Sequence, residues 1–137
     1  ATLKNGQFSP NGKWVAYVSN ESGKWEVYVT SFPGARGPWR VSTGGGEQPR
    51  WAADGREIFF LADGKLMAAP VSTEAAFDHR TPVALFDVNP REILAASEQI
   101  VYDVDRSGRR FLINTQARKA ETQPFSIVLN WDAGLKK

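Results

Sequence analysis

The chain has 137 residues, of which 42% are hydrophobic and 12% aromatic, so one folded domain with a sizeable core is expected and a disordered chain is excluded. The 17 basic and 15 acidic residues leave a net charge of +2, which argues against nucleic-acid binding, because such proteins concentrate positive charge. The chain has no cysteine, which excludes disulfides, thiolate metal sites and a cysteine nucleophile. No apolar run reaches the roughly 20 residues of a membrane-spanning helix.

Three similar phrases recur along the chain: FSPNGKWVAYVS (8–19), WAADGREIFFLA (51–62) and VDRSGRRFLINT (104–115). Their glycines, Gly12, Gly55 and Gly108, are 43 and 53 residues apart. A period of roughly 40–45 residues with strand-like content is typical of propeller blades. The larger second spacing predicts an insertion between Thr73 and Ile100.

Each phrase places a polar turn, a basic residue and an apolar run in the same order. The turns are Asn11-Gly12, Asp54-Gly55 and Ser107-Gly108. We expect two-residue hairpin turns, in which both central residues have positive φ. The apolar runs WVAYV, IFFL and FLI do not alternate with polar residues. They therefore predict strands that are covered on both faces.

Further strands are predicted after each hairpin. In the first unit, 24–32 forms a strand with Trp25, Val27 and Val29 on one face, and 39–43 forms a fourth strand. In the others, the predicted strands are 65–71, which follows the hairpin turn Asp63-Gly64, then 82–88, and finally 124–131. Segment 89–100 is interpreted as a connecting loop, with a helical turn as the alternative.

The predicted fold is all-β, a partial β-propeller of three blades with up to four antiparallel strands each. The chain 1–137 is interpreted as a single domain, with blades at about 1–47, 48–98 and 99–137. Three blades are too few to close a ring of about 4–8. We therefore expect a second copy, giving a six-bladed homodimer, or missing sequence of a longer parent to complete it. Residues 1–8 could add a strand to the last blade of the same or the second copy.

Candidate chemical residues are sparse. The lone histidine, His79, could be a general base but is better explained as a loop residue, because no G-x-S-x-G motif or triad accompanies it. Asp103 and Asp105 could share a cation but lack further oxygen ligands. The glycine-rich stretch 43–49 lacks a P-loop lysine and is interpreted as a connection between blades. We predict no catalytic, metal or cofactor residues, and the sequence does not define a ligand-binding site.

The five tryptophans are predicted mainly to pack between blades, and Trp39 is the best candidate for an exposed contact. The full set is Trp14, Trp25, Trp39, Trp51 and Trp131.

The first two phrases resemble the W/F-S-P-D-G-K repeat of the TolB-like, WD-related propeller family. The ending VLNWDAGLKK resembles that of bacterial proteins with a eukaryote-like serine/threonine kinase domain before a C-terminal propeller. The resemblance implies a bacterial, extracytoplasmic, non-catalytic binding or scaffold module with a protein or peptide partner. The alternative is the gating propeller of a serine peptidase, with its catalytic domain outside this chain.

Overall fold

The computed structural model describes residues 2–34, 36–88, 102–115 and 125–130, with the backbone alone for 114–115 and 125–130. Within these ranges the regular elements are all strands, arranged in three antiparallel sheets. Sheet 1 contains β1 (Leu3–Phe8), β2 (Trp14–Ser19), β3 (Glu26–Ser31) and β4 (Trp39–Arg40). Sheet 2 contains β5 (Glu47–Trp51), β6 (Glu57–Ala62), β7 (Lys65–Ser72), β8 (Asp78–His79) and β9 (Val83–Asp87). Sheet 3 contains β10 (Tyr102–Val104), β11 (Arg110–Thr115) and β12 (Phe125–Asn130).

The three repeated phrases form the first hairpin of each sheet, between β1 and β2, β5 and β6, and β10 and β11. In each turn the glycine N–H donates to the carbonyl three residues earlier, at 2.9, 2.9 and 3.0 Å. The φ angles of Gly12, Gly55 and Gly108 are 73°, 75° and 74°. The repeat in the sequence is therefore a repeat of one backbone turn.

The detailed turn type differs from the expectation. Only the glycine has positive φ, and Asn11 and Asp54 do not. The hairpins close across a longer loop, because the bond from Ser9 N to the carbonyl of Trp14 spans four intervening residues. By contrast, Asp63 and Gly64 have φ of 51° and 71°. The two-residue hairpin predicted there is confirmed.

Side chains complete the three turns with the same pattern of hydrogen bonds. The side-chain oxygen of the residue before each glycine accepts a hydrogen bond from the backbone N–H of the residue that follows the glycine. The acceptor is the Asn11 amide oxygen at 3.0 Å in the first turn and the Asp54 carboxylate at 2.9 Å in the second. In the third turn the Ser107 hydroxyl accepts at 3.1 Å. An amide, a carboxylate and a hydroxyl oxygen therefore accept from the equivalent backbone N–H in the three turns.

Two hydrophobic cores lie between successive sheets. On β6, Ile58 and Phe60 belong to the core shared with sheet 1, whereas Phe59 and Leu61 belong to the core shared with sheet 3. Sheet 2 is thus buried on both faces, as its unbroken apolar run predicts. This stacking of three sheets confirms the all-β fold and the partial propeller.

Several strand predictions need correction. Residues 1–8 do not complete another blade in this structure, because Leu3–Phe8 pairs with β2 as the first strand of sheet 1. The strand predicted at 39–43 is limited to Trp39–Arg40, which pairs with only two residues of β3. In the glycine-rich stretch 43–49, the residues from Glu47 onward belong to β5 rather than to a connection.

Sheet 2 also exceeds the predicted four strands. Both β8 and β9 pair with β7 at different points along its length. The fourth strand is therefore divided in two, and the sheet has five strands. The segment 89–100 lies outside the described residues.

Candidate functional site

The first strands of the three sheets lie next to one another and are joined by polar contacts between blades. We call β1, β5 and β10 the inner-strand row, because the first strand of a propeller blade is the one nearest the central axis. The Lys4 ammonium lies 2.8 Å from the Glu47 carboxylate, joining β1 to β5. The Arg50 guanidinium lies 2.5 Å from the Asp103 carboxylate, joining β5 to β10. An ion pair therefore crosses each boundary between sheets.

These ion pairs join equivalent positions of the repeat. Lys4 and Glu47 each precede the turn glycine of their unit by eight residues, and Arg50 and Asp103 precede theirs by five. At each of these two repeat positions, one unit carries a basic residue and the next unit carries an acidic one. The stacking of the sheets brings the two opposite charges together. The side chains of Lys4 and Glu47 are only 14% and 25% exposed, so their attraction is less screened than that of a surface pair.

A β-bulge recurs in the row. Pairing of β1 with β2 shifts between Lys4 and Gln7, and Asn5 has φ of 56°. Pairing of β5 with β6 shifts between Glu47 and Arg50, and Gln48 has φ of 55°. Asn5 and Gln48 both precede their turn glycine by seven residues. Bulges interrupt the ladder and turn backbone groups towards other partners.

The bulged strands accept hydrogen bonds from the next blade. The Tyr102 hydroxyl donates to the Gln48 carbonyl at 2.8 Å, and the Trp51 indole N–H donates to the Gln7 carbonyl at 3.0 Å. Burial raises the pKa of Tyr102 well above its ordinary value. In the described part of the chain, the buried amide oxygen of Asn5 has no hydrogen-bond partner.

One end of the row carries a partly exposed aromatic group. The Lys4 ammonium lies 4.2 Å from the ring centroid of Trp25, in addition to its ion pair with Glu47. A cation over an indole face is attracted by the ring quadrupole. The loop that follows β4 ends beside it, because Gly46 N–H donates to the Trp25 carbonyl at 2.8 Å. We call Lys4, Trp25 and the loop 43–46 the rim.

A buried carboxylate that the sequence analysis missed fixes this loop. Glu26 is 2% exposed; it accepts a short hydrogen bond from the Ser42 hydroxyl and one of 3.1 Å from Gly45 N–H. The Ser42 hydroxyl oxygen in turn accepts from Val27 N–H at 2.8 Å. The only signal in the sequence was a glutamate inside the otherwise apolar stretch WEVYV. These hydrogen bonds anchor the glycine-rich loop to the start of β3, and the Gly45 N–H is occupied by Glu26.

The ionisable candidates are not brought together. His79 lies in β8, where its ring stacks on Phe77 at 5.9 Å beside a cleft of about 160 Å³. Asp103 pairs with Arg50, whereas Asp105 accepts from the Ser107 hydroxyl within its own turn. That bond, followed by backbone donors, lowers the pKa of Asp105. The described residues contain no group of three histidine, aspartate or glutamate side chains that could hold a metal ion.

The tryptophans pack mainly between sheets. Trp14 is buried, with its ring centroid 5.7 Å from that of Trp39 and 5.6 Å from that of Phe77. Trp39 also contacts Phe77, at 5.2 Å. Trp39, the predicted exposed contact, is half-buried, because its ring packs against the core between sheets 1 and 2. Trp131 lies outside the described residues.

The stacked meander sheets and the row of first strands define a propeller-type chain, and one solved structure agrees with that class. TolB from Acinetobacter baumannii is similar with a TM-score of 0.64 at 12% identity, over 95% of this chain and 30% of that chain. A putative TolB from Agrobacterium tumefaciens gives a TM-score of 0.37 at 14% identity, over 94% of this chain and 61% of that chain. The first comparison shows a TolB-like β-propeller fold.

No family model matches the chain, and no curated protein matches its sequence. The described segments include no helix with the length and apolar character needed to cross a bilayer.

Proposed function

We propose that this chain is a non-catalytic binding or scaffold module, the propeller part of a larger bacterial envelope or receptor-kinase-like protein. The observation that supports it best is the inner-strand row. Ion pairs and hydrogen bonds between blades hold its polar side chains on three rigid sheets. A fixed polar surface with an aromatic group at one end suits recognition, because little side-chain freedom is lost on binding.

The partner we propose is a protein or a peptide segment. At the rim, the half-buried ring of Trp25 lies beside the Lys4 ammonium and the glycine-rich loop, which hydrogen bonds to Glu26 and to the Trp25 carbonyl hold in place. Aromatic rings held in a fixed position are common anchors in protein recognition. Further blades, from a second copy or from the parent protein, would extend the same surface around the axis.

A peptide selection tests this function. The immobilised chain is panned with a library of phage-displayed linear peptides, and recovered sequences are synthesised and titrated calorimetrically. We expect micromolar binding that Trp25→Ala weakens at least tenfold, because the ring would carry much of the contact. The matched control is Val83→Ala, which removes an exposed side chain on β9, away from the row.

Two results would contradict the proposal. The first is a failure to enrich any peptide that binds the folded chain in solution. The second is enrichment of peptides whose affinity is the same for the Trp25 and Val83 variants. A hydrolase domain adjoining this segment in the parent gene would instead favour a gating propeller.

A further inference from the structure

Two asparagines of the chain are followed directly by glycine, Asn5 in the bulge of β1 and Asn11 in the first hairpin turn. In an Asn-Gly pair the glycine nitrogen can attack the side-chain carbonyl carbon of the asparagine, because glycine has no side chain to obstruct the approach. Asparagine is among the thermolabile residues that proteins of hyperthermophiles contain less often. Both pairs have the same chemistry in the unfolded chain, so the fold decides which of them reacts in the native protein.

The reaction at Asn11 uses water as its only co-reactant. The Gly12 nitrogen loses its proton and forms a bond to the Asn11 Cγ, and the bond from Cγ to the side-chain nitrogen breaks. That nitrogen takes up a proton and leaves as ammonia. Water then opens the resulting five-membered succinimide. Attack of water at Cγ gives aspartate, whereas attack at the main-chain carbonyl gives isoaspartate, in which the main chain runs through Cγ and is longer by one methylene.

The fold hinders this reaction at Asn5. The residue has φ of 56° in the β1 bulge, and Lys4 and Gln7 on either side of the bulge pair with β2. Ring closure at Asn5 would require the strand to leave the β1–β2 ladder, and opening of packed strands costs free energy. A carboxylate formed here would also replace a buried amide oxygen that has no hydrogen-bond partner in the described part of the chain.

Asn11 lies where water reaches its amide group. Residues 11–13 are all exposed. The equivalent Asp54 of the second turn is exposed as well, although sheet 1 packs against sheet 2 and a Cβ on Gly55 would lie 3.8 Å from Pro10 of the first turn. The exposure of this position therefore does not depend on whether a further blade packs beside the turn.

The first turn can accommodate the aspartate product, because the second turn is built with aspartate. The Asn11 amide oxygen accepts from the Ser9 hydroxyl at 2.7 Å and from Lys13 N–H at 3.0 Å. A carboxylate oxygen can accept both bonds, as the Asp54 carboxylate accepts from Arg56 N–H at 2.9 Å. Deamidation to aspartate therefore leaves the hydrogen bonds of the turn intact.

The isoaspartate product does not fit the turn. Gly12 N–H donates to the Ser9 carbonyl at 2.9 Å, and Ser9 N–H donates to the Trp14 carbonyl at 2.8 Å. An additional methylene in the main chain lengthens the loop that these bonds close, so the bonds are weakened or lost. The turn thus separates the two products by stability, because aspartate keeps the hairpin and isoaspartate weakens it.

We propose that Asn11 is a modification site, at which slow deamidation through Gly12 converts the first turn into the carboxylate form that the second turn already has. Each event replaces a neutral amide by a carboxylate and lowers the net charge of the chain by one, from +2 to +1. The folded protein then exists in two charge forms with the same fold. The site goes beyond the proposed binding function and does not depend on it.

The first experiment compares the two asparagines in the folded chain. The chain is incubated at mildly alkaline pH and digested with chymotrypsin, which cleaves after Phe8 and places Asn5 and Asn11 on separate peptides. Mass spectrometry measures the exchange of NH₂ for OH in each peptide. We expect Asn11 to react about tenfold faster than Asn5, because Asn5 must wait for local opening of its strand. In concentrated urea the two rates should be comparable, since both residues precede glycine.

The second experiment uses matched variants. In Asn11→Ser the ring cannot form, and serine is the residue that the third turn has at this position, where Ser107 accepts from Arg109 N–H. Isoelectric focusing should show the early acidic form in the original chain and not in this variant. Asn11→Asp should focus with that acidic form and melt within about 2 °C of the original chain. Asn5→Asp should melt several degrees lower, because it buries a charge.

Three results would overturn the proposal. The first is an early acidic form that accumulates equally in the original chain and in Asn11→Ser. The second is equal reaction rates at Asn5 and Asn11 while the chain is folded. The third concerns the products, which ion exchange separates and electron-transfer fragmentation identifies: an isoaspartate form that melts together with Asn11→Asp would show that the turn does not distinguish them.

Discussion

The Tyr102 hydroxyl donates a 2.8 Å hydrogen bond to the Gln48 carbonyl, from the first strand of sheet 3 to the bulged first strand of sheet 2. Tyr102 is 3% exposed and Gln48 is also 3% exposed, so solvent has little access to either group. The bond therefore ties the first strands of sheets 2 and 3 together in a buried position.

Tyr102→Phe removes this bond and little else. We expect the free energy of unfolding to fall by about 1–2 kcal/mol, because a buried carbonyl loses its donor. Urea denaturation at neutral pH measures the change. The control is Tyr17→Phe, which changes a half-buried side chain of β2 and for which we expect a change within about 0.5 kcal/mol. Equal losses from the two substitutions would show that the blade–blade bond contributes nothing specific.

The same tyrosine predicts a loss of stability at alkaline pH. Burial raises the pKa of Tyr102 well above its ordinary value of 10.0. Above pH 10 the unfolded chain therefore releases a proton that the folded chain keeps, and stability falls by up to about 1.4 kcal/mol per pH unit. In Tyr102→Phe this contribution is absent. Unfolding free energies measured from pH 8 to 11 should therefore converge for the two proteins, and parallel curves would contradict the assignment.

The turn glycines predict equal costs of substitution. In Gly12, Gly55 and Gly108, φ is near 75°, and an added Cβ would meet no atom closer than 3.8 Å. Replacement by alanine should therefore cost about 1–2 kcal/mol at each site, from backbone strain alone. Thermal denaturation of the three single variants measures it. A large difference among the three would show that the turns are not equivalent.

Two other glycines separate strain from crowding. An added Cβ at Gly44 has nothing within 4 Å, whereas at Gly46 it would lie 2.9 Å from the Ser42 side chain and 3.0 Å from Phe60. Neither residue has positive φ. Gly44→Ala should be neutral or slightly stabilising, and Gly46→Ala should be strongly destabilising. Comparable melting temperatures for the two variants would contradict the packing described for this loop.

The buried Glu26–Ser42 pair predicts a costly serine substitution. Ser42→Ala removes the donor to Glu26 and the acceptor for Val27 N–H. We expect a loss of about 1–3 kcal/mol, because the buried Val27 N–H and one oxygen of Glu26 lose the partner that Ser42 supplies. The control is Ser22→Ala, whose exposed hydroxyl donates to the Lys24 carbonyl, with a change within about 0.5 kcal/mol. Urea denaturation of both variants provides the comparison.

Sequence periodicity was sufficient for the overall architecture. The glycine spacing located the first hairpin of each sheet, and the apolar run IFFL indicated that sheet 2 is covered on both faces. Both signals can be read from a short stretch of sequence. A turn with positive φ requires a glycine, and a strand that is covered on both faces requires an unbroken apolar run. The same reasoning could not divide the fourth strand of sheet 2, because short edge strands carry little pattern.

The polar organisation between blades was not predictable from one sequence. Lys4 and Glu47 are 43 residues apart in sequence, and their pairing depends on the register between two sheets. The αL conformation of Gln48 also had no signal, because glutamine, unlike glycine or asparagine, is not enriched there. The partial burial of Trp39 was not predictable either, because its ring contacts Trp14 and Phe77, which are distant from it in sequence.

The three hairpin turns meet one set of backbone demands with an amide, a carboxylate and a hydroxyl. The residue before the glycine is therefore free to vary among small polar types while the fold persists. A blade built this way can therefore change by single substitutions at this position and keep its fold at each step. The surface of a duplicated blade can then change while the hairpin turn between its first two strands is retained.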